Sequence, residues 1–209
     1  VDRPNLSKDY LAGSAPEDWL PLRSDDSYRE AEIDLRRDVE VTAIDSAKHQ
    51  IRLSNGETVP YDRLLLATGA EPVRLSIPGA GSSQVRTLRS LADCQAIIKA
   101  AEGAKRALVI GASFIGLEVA ASLRAREIEV HVVAPDKRPM ERVLGAEMGD
   151  FVRALHEEHG VIFPLEDTVE RLDGRRAMLK SGGAVEADLI VAGVGVRPRL
   201  ALAEAAGLK

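Results

Sequence analysis

The sequence predicts an α/β protein made of two successive three-layer domains, the first of them incomplete. Three observations predict this fold class: a strand, glycine loop, helix and strand in residues 106–135, an internal repeat, and two continuous apolar runs of strand length. The composition agrees, because a chain of 209 residues with 45% hydrophobic residues can bury a sizeable core.

The glycine loop is the most informative segment. An apolar run over 107–110 leads into Gly111, a helical apolar pattern follows, and a second apolar run over 130–133 closes the unit. This order is typical of the βαβ unit of a Rossmann-like domain, which holds a dinucleotide at the helix N-terminus. Gly111 permits the sharp turn, and Gly116 lets the helix lie close to the strand. Ser113 departs from the G-x-G-x-x-G pattern, although its hydroxyl can donate to a phosphate. The alternative is a glycine-rich turn that only packs.

An internal repeat relates the two halves of the chain. Gly56 matches Gly182 and Asp62 matches Asp188, and each pair is separated by the same 126 residues. A fixed register across a hairpin and a buried strand indicates two related dinucleotide-binding domains in tandem. The register places the glycine loop of the first domain before residue 1, so we expect the chain to be a fragment.

The remaining elements follow from turn signals and periodicity. Asn55-Gly56 is a strong hairpin signal, and Ser90 is expected to be the N-cap of a helix whose first turn Asp93 reinforces. In chain order the predicted elements are strands at 39–45 and 50–53, a buried parallel strand at 63–67, a loop at 72–84, helices at 90–101 and 146–159, hairpins at 168–185 and a buried strand at 188–192.

Charge and composition exclude several classes of function. A net charge of −5 and a pI near 5.5 argue against general nucleic-acid binding. No apolar run approaches the roughly 20 residues of a membrane span. Cys94 is the single cysteine, so no disulfide can form within the chain, and we expect a cytoplasmic protein. His156 and His159 lack metal-ligand spacing with it, and a solvated helix face is expected for them.

Five stretches together carry a resemblance to a known family. They are residues 2–8 (DRPNLSK), 61–70 (YDRLLLATGA), the glycine-loop unit, 138–145 (RPMERVLG) and 193–198 (GVGVRP). Over essentially its whole length the chain resembles the flavin-dependent pyridine nucleotide-disulfide oxidoreductases, and among them the ferredoxin and rubredoxin reductases and the apoptosis-inducing-factor-like reductases. The resemblance implies a partial FAD-binding domain at 1–85, an NAD(P)H-binding Rossmann-like domain at 86–192, and a return segment toward the FAD domain at 193–209.

The resemblance also implies which residues bind the cofactors. Those expected beside FAD are Arg3, Lys8, Thr68 and Gly69, with Lys8 near the flavin ring; solvated charge is the alternative for Arg3 and Lys8. Those expected around NAD(P)H are Gly111, Ser113, Phe114, Ile115, Gly116, Glu118, Ala134, Arg142, Gly195 and Val196. Among them Glu118 meets the nicotinamide carboxamide, and Arg142 lies near the adenosine phosphate. No catalytic side chain and no metal ligand is implied.

The choice between NADH and NADPH stays open. A site that prefers NAD commonly ends its second strand with Asp or Glu, which accepts from the ribose hydroxyls. Here that position is Ala134, and Asp136 lies two residues further on. Lys137, Arg138 and Arg142 could instead meet a 2′-phosphate. Family habit favours NADH slightly.

The function implied by the resemblance is hydride transfer from NAD(P)H to FAD, with electrons passed on to an iron–sulfur or similar partner protein. Two alternatives are an NADH-responsive interaction module of the apoptosis-inducing-factor type and the nucleotide domain of a thiol or nitrite reductase. We expect this chain alone to hold FAD poorly and to be inactive, because the pyrophosphate loop of the first domain is absent. The electron acceptor and the oligomeric state stay open.

Overall fold

The computed structural model of the protein describes residues 1–81 and 84–208. The chain forms two compact units, one of Val1–Leu22 with Pro72–Gly195 and one of Arg23–Glu71 with the segment from Val196 onward. This division by contacts differs from the domain limits expected from the sequence, because the first 22 residues group with the glycine-loop unit.

In chain order the helices are α1 (Asp9–Ala12), α2 (Asp25–Glu30), α3 (Leu91–Ala101), α4 (Phe114–Ala125), α5 (Glu141–Glu158) and α6 (Ala201–Ala205), with short 3-10 helices at Pro4–Ser7 and Glu17–Trp19. The strands are β1 (Val41–Asp45), β2 (Gln50–Leu53), β3 (Thr58–Pro60), β4 (Ala70–Pro72), β5 (Val85–Arg86), β6 (Arg106–Ile110), β7 (Glu129–Val133), β8 (Val161–Ile162), β9 (Val169–Asp173), β10 (Arg176–Leu179), β11 (Ala184–Glu186), β12 (Leu189–Ala192) and β13 (Val196–Pro198).

The first unit is built on a parallel sheet with strand order β5-β12-β6-β7-β8. Alternate residues of β6 face opposite sides, so that Val109 packs into the core beneath α3 and α4, while Leu108 packs against the antiparallel sheet β11-β10-β9. Burial on both faces explains why β6 and β12 read as continuous apolar runs. The predicted α/β class with three layers is confirmed.

Helix α3 begins where the sequence predicts. The Ser90 hydroxyl accepts from the Asp93 N–H at 3.1 Å, and the Asp93 carboxylate accepts from the Ser90 N–H at 2.8 Å. This capping box satisfies two backbone donors that the helix itself leaves free. The predicted second helix is also present as α5, in which Gly145 leaves helical geometry (φ 81°), so the longer part begins at residue 146.

The N-terminal segment packs onto α3 and α4 within the first unit. Leu6 and Leu11 are fully buried, and the Cys94 thiol donates to the Leu6 carbonyl at 3.0 Å. The Ser122 hydroxyl of α4 lies 2.7 Å from the Ser7 carbonyl oxygen and 3.1 Å from that of Lys8. The segment that carries Lys8 is therefore held in place by buried polar contacts as well as by apolar packing.

The second unit contains the antiparallel sheet β1-β2-β3, and Asn55-Gly56 forms the predicted turn between β2 and β3. The strand predicted at 63–67 is wrong. In the part of the chain that the structure describes, no strand pairs with this segment, and Leu65 is 88% exposed. An apolar run becomes a buried parallel strand only where a neighbouring strand pairs with its backbone and other elements cover its faces. No described helix is both long and apolar enough to cross a membrane.

Candidate functional site

The glycine loop connects β6 to α4 by a backbone path that a side chain would block. Gly111 has φ +107°, and its N–H donates to the Val133 carbonyl at 2.8 Å. A Cβ atom on Gly111 would lie 2.5 Å from the Gly193 carbonyl oxygen, and one on Gly116 would lie 2.0 Å from the Gly111 carbonyl oxygen. Both glycines are therefore required for the close approach of loop, helix and the exit of β12.

The N-terminus of α4 keeps its backbone donors available. Ser113 is the N-cap residue, but its side chain accepts no hydrogen bond from the helix. Its hydroxyl instead donates to the Gly193 carbonyl at 3.3 Å. The first N–H groups of an α-helix have no partner within the helix, and they carry the positive end of its dipole. This end of α4 is therefore suited to an anion such as a pyrophosphate.

An open cleft of about 340 Å³ lies in front of this helix terminus. Five residues implied by the family resemblance line it, namely Gly111, Ser113, Ala134, Arg142 and Gly195. The cleft is also lined by Ala112, Pro135, Asp136, Met140, Glu141, Val143, Gly193 and Val194, of which only Asp136 was considered for a ligand contact from the sequence. Gly193 could have been found, because it stands two residues before Gly195 at the exit of the second buried strand.

Met140 lines the wall of the cleft that the start of α5 forms. It adopts a left-handed conformation (φ 58°), its side chain is buried, and its N–H donates to the Ala112 carbonyl at 3.1 Å. The N–H groups of Val143 and Leu144 donate to the Met140 carbonyl, both at 2.9 Å. Arg142 is therefore presented to the cleft on a single helical turn that Gly145 separates from the rest of α5. A left-handed methionine has no sequence signal.

The charged residues at this wall are already paired in a definite way. Arg142 Nε donates to Asp136 Oδ1 at 2.8 Å. Arg138 donates to Asp150 at 2.6 Å and to Glu141 at 3.3 Å. Of the three cations considered for a 2′-phosphate, only Arg142 lines the cleft, because Arg138 is held by two carboxylates and Lys137 belongs to a neighbouring depression.

Glu118 lies on α4 beside the N-terminal segment and does not line the cleft. One carboxylate oxygen is 2.8 Å from Lys8 Nζ, and the other accepts from the buried Ser7 hydroxyl at 2.5 Å. The structure thus brings Lys8 and Glu118 together, two residues that the resemblance assigned to opposite cofactors.

The other residues implied by the resemblance are more scattered. Phe114 and Ile115 are exposed in the first turn of α4, and Arg3 is exposed at the start of the first 3-10 helix. The remaining three lie in the second unit. There the Thr68 hydroxyl donates to the Arg199 carbonyl at 2.7 Å, the Gly69 carbonyl accepts from the Arg199 N–H at 2.9 Å, and Val196 is exposed in β13. The four residues expected beside FAD are therefore divided between the two compact units.

No group of three or more His, Cys, Asp or Glu residues in the described ranges could hold a metal ion. Burial raises the pKa of the Cys94 thiol to about 11, so it is protonated and unreactive at neutral pH. His156 differs from the solvated position expected for it, because it is half-buried and packs edge-on against Phe163 at 6.1 Å.

A family model described as pyridine nucleotide-disulphide oxidoreductase matches residues 1–209. The chain belongs to this family. Rhodocoxin reductase of Rhodococcus erythropolis is 36% identical over 211 residues, which cover 99% of this chain and 49% of that protein. The ferredoxin–NAD(+) reductase component of the biphenyl dioxygenase system of Paraburkholderia xenovorans (strain LB400) is also 36% identical, over 99% of this chain and 52% of that protein.

The fold of this family member matches solved structures equally well. In the covalent putidaredoxin reductase–putidaredoxin complex, the matched chain has a TM-score of 0.93 and 36% identity, and the match covers 99% of this chain and 52% of the other. The Rossmann-type architecture expected from the glycine loop is therefore confirmed. The chain spans about half the length of the curated relatives that it matches.

Proposed function

We propose that this chain is the NAD(P)H-binding portion of a flavoprotein oxidoreductase that passes hydride from NADH to FAD and electrons on to an iron–sulfur protein. The observation that carries the proposal is the cleft at Gly111, where the uncapped N-terminus of α4 meets the exit of β12. Family membership supports it, since reductases of ferredoxin-like proteins are among the relatives.

The residues present fit a dinucleotide. The glycine-lined approach of the loop to Gly193 leaves backbone donors rather than side chains at the helix terminus, which is the arrangement that a pyrophosphate needs. When both cofactors are bound, the nicotinamide and the flavin supply the redox chemistry, and the protein binds and orients them. In this proposal Ser113 and Gly116 lie at the pyrophosphate, Gly195 lies toward the nicotinamide, and Arg142 lies toward the adenosine.

The pair of Lys8 and Glu118 has a place in the same proposal. Lys8 is bound to Glu118 at 2.8 Å, and both are reachable from solvent, with side-chain exposures of 48% and 26%. The arrangement places a cation of the N-terminal segment beside a carboxylate of α4. We assign Glu118 to the nicotinamide carboxamide and Lys8 to the flavin ring, with Arg3, Thr68 and Gly69 supporting FAD.

NADH is the proposed donor rather than NADPH. Arg138 and Lys137 are unsuited to a 2′-phosphate in this cleft, the former because two carboxylates hold it. The relative from the biphenyl dioxygenase system is named for NAD(+). An iron–sulfur acceptor is proposed because a relative is a ferredoxin–NAD(+) reductase component and a matched structure is a complex of putidaredoxin reductase with putidaredoxin.

The test is calorimetric titration of the purified chain and three variants of Ser113 with NADH. Aspartate is a good N-cap, so Ser113→Asp preserves α4, but it places a negative charge where the pyrophosphate is proposed to lie. Two like charges about 4 Å apart repel by about 4 kcal/mol at an effective dielectric constant of about 20, so a loss of tenfold or more is expected.

Ser113→Ala and Ser113→Asn are the matched controls. The first removes the donor to Gly193 without adding charge, and the second keeps a donor and a capping oxygen. Both should bind NADH within a few-fold of the parent chain. The proposal is wrong if the parent chain does not bind NADH, or if the aspartate variant binds NADH as well as the alanine variant does.

A further inference from the structure

The position at which relatives of this fold commonly carry the ribose-binding acid cannot serve that role here. Ala134 follows the end of β7, is 1% exposed and belongs to the apolar core. Its carbonyl accepts from the Asp167 N–H at 3.2 Å, and it forms a parallel bridge with Leu165. A methyl group at this position offers no acceptor to a ribose hydroxyl. Another residue must therefore recognise the adenosine ribose.

Asp136 is positioned to accept a hydrogen bond from the adenosine ribose. Its carbonyl accepts from the Glu166 N–H at 3.3 Å, so the backbone of 134–136 is tied to the neighbouring segment at two points. Its side chain is one-third exposed and lines the cleft. Oδ1 accepts from Arg142 at 2.8 Å, whereas Oδ2 has no protein partner among the described residues. A fixed carboxylate with one unused oxygen is suited to accept from a ribose hydroxyl.

Without Asp136, Arg142 would favour the binding of NADPH over that of NADH. Its side chain is 79% exposed, and only its Nε is engaged. A guanidinium with free N–H groups at this wall is well suited to a phosphate, which it can bind through two parallel hydrogen bonds. The ion pair with Asp136 orients Arg142 and compensates its charge, and the same carboxylate would repel a 2′-phosphate.

Other charged residues near this end of the cleft do not change the preference between NADH and NADPH. Glu141 lines the cleft but is paired with Arg138, which Asp150 also holds. Lys137 lines the adjacent depression. Asp136 and Arg142 are therefore the two charged side chains in the cleft lining whose hydrogen bonds can change when a nucleotide binds.

We infer that Asp136, positioned by Arg142, is the residue that determines the nucleotide specificity of this site. Asp136 accepts from the adenosine ribose of NADH, and its charge both offsets that of Arg142 and repels the 2′-phosphate of NADPH. The inference rests on the proposed function, because it assumes that a dinucleotide occupies the cleft. It predicts that one substitution both weakens NADH and strengthens NADPH.

The experiment is calorimetric titration of the purified chain with NADH and with NADPH, for Asp136→Ala, Asp136→Asn and the double variant Asp136→Ala/Arg142→Ala. Asp136→Ala should weaken NADH binding about five- to tenfold and tighten NADPH binding by at least as much, so the ratio of the two Kd values shifts by about 25-fold or more. Asp136→Asn should shift the ratio in the same direction. The double variant should lose the gain in NADPH affinity, because that gain depends on the freed guanidinium.

Glu166→Gln is the matched control. It removes the same charge from an exposed side chain beside the segment but outside the cleft lining, so the Kd ratio should stay within about threefold. The inference is overturned if the parent chain binds NADH but Asp136→Ala leaves the ratio unchanged, or if Glu166→Gln shifts it equally. Failure of the parent chain to bind either nucleotide would instead refute the proposed function.

Discussion

Replacing Ser122 with alanine is expected to loosen the N-terminal segment and to expose Cys94 more often. Ser122 is 5% exposed on α4, and its hydroxyl is the donor to the carbonyl oxygens of Ser7 and Lys8. The Lys8 carbonyl keeps a second donor, the Ala12 N–H at 2.8 Å, but the Ser7 carbonyl loses this one. The same segment covers Cys94, whose thiol donates to Leu6.

The magnitude follows from the hydrogen bond and from the burial. A buried acceptor left without its donor costs about 1–3 kcal/mol. If this cost falls on the docked state alone, the population with the segment detached rises by a factor of about 5 to 150, since 1.4 kcal/mol corresponds to about tenfold. Leu6 and Leu11 keep their apolar burial, so the fold of the unit is expected to persist.

The assay is the rate at which the single thiol reacts with an aromatic disulfide reagent under native conditions. Cys94 is fully buried and burial raises its pKa to about 11, so reaction requires opening of the segment. Ser122→Ala should react about 5- to 150-fold faster than the parent chain, with an unchanged circular dichroism spectrum. Ser54→Ala is the control, because it removes a serine hydroxyl that accepts from the Glu40 N–H in the other unit. Its thiol should react at the parent rate. An unchanged rate for Ser122→Ala would refute the reasoning.

Three further predictions concern stability, measured by urea unfolding. Leu123→Ala should lower the free energy of unfolding by about 2–5 kcal/mol, because Leu123 is fully buried. Leu65→Ala should change it little, because Leu65 is 88% exposed. Equal losses for the two variants would contradict the packing described. Ser90→Ala should cost about 0.5–2 kcal/mol through loss of the capping box, and a neutral result would show that α3 does not need it. Burial, with a smaller effect of His159, lowers the pKa of His156 below its ordinary 6.5, so the unfolded chain binds the proton more readily. Stability should therefore be fully retained above pH 6.5 and fall as pH decreases below it, and His156→Gln should flatten that dependence.

Elements with local signals could be predicted from the sequence in both units. The N-cap at Ser90, with Asp93 in the first turn, and the turn at Asn55-Gly56 were predicted from a few neighbouring residues. The strand predicted at 63–67 was wrong because strand pairing depends on residues far away in the chain. The sequence signal for Leu65 is that of a buried residue, but nothing in the described chain covers it.

The candidate site likewise has features that the sequence determined and features that depend on the tertiary structure. The sequence by itself determined the loop at Gly111 and the helix that starts after it, since only glycine combines a φ of +107° with so close an approach of backbone to backbone. Only the tertiary structure decided that Met140 turns Arg142 toward the cleft, that Arg138 is held by Asp150, and that Asp136 lines the cleft and pairs with Arg142. These outcomes depend on which charged side chains meet across separate elements, and sequence spacing does not contain that geometry.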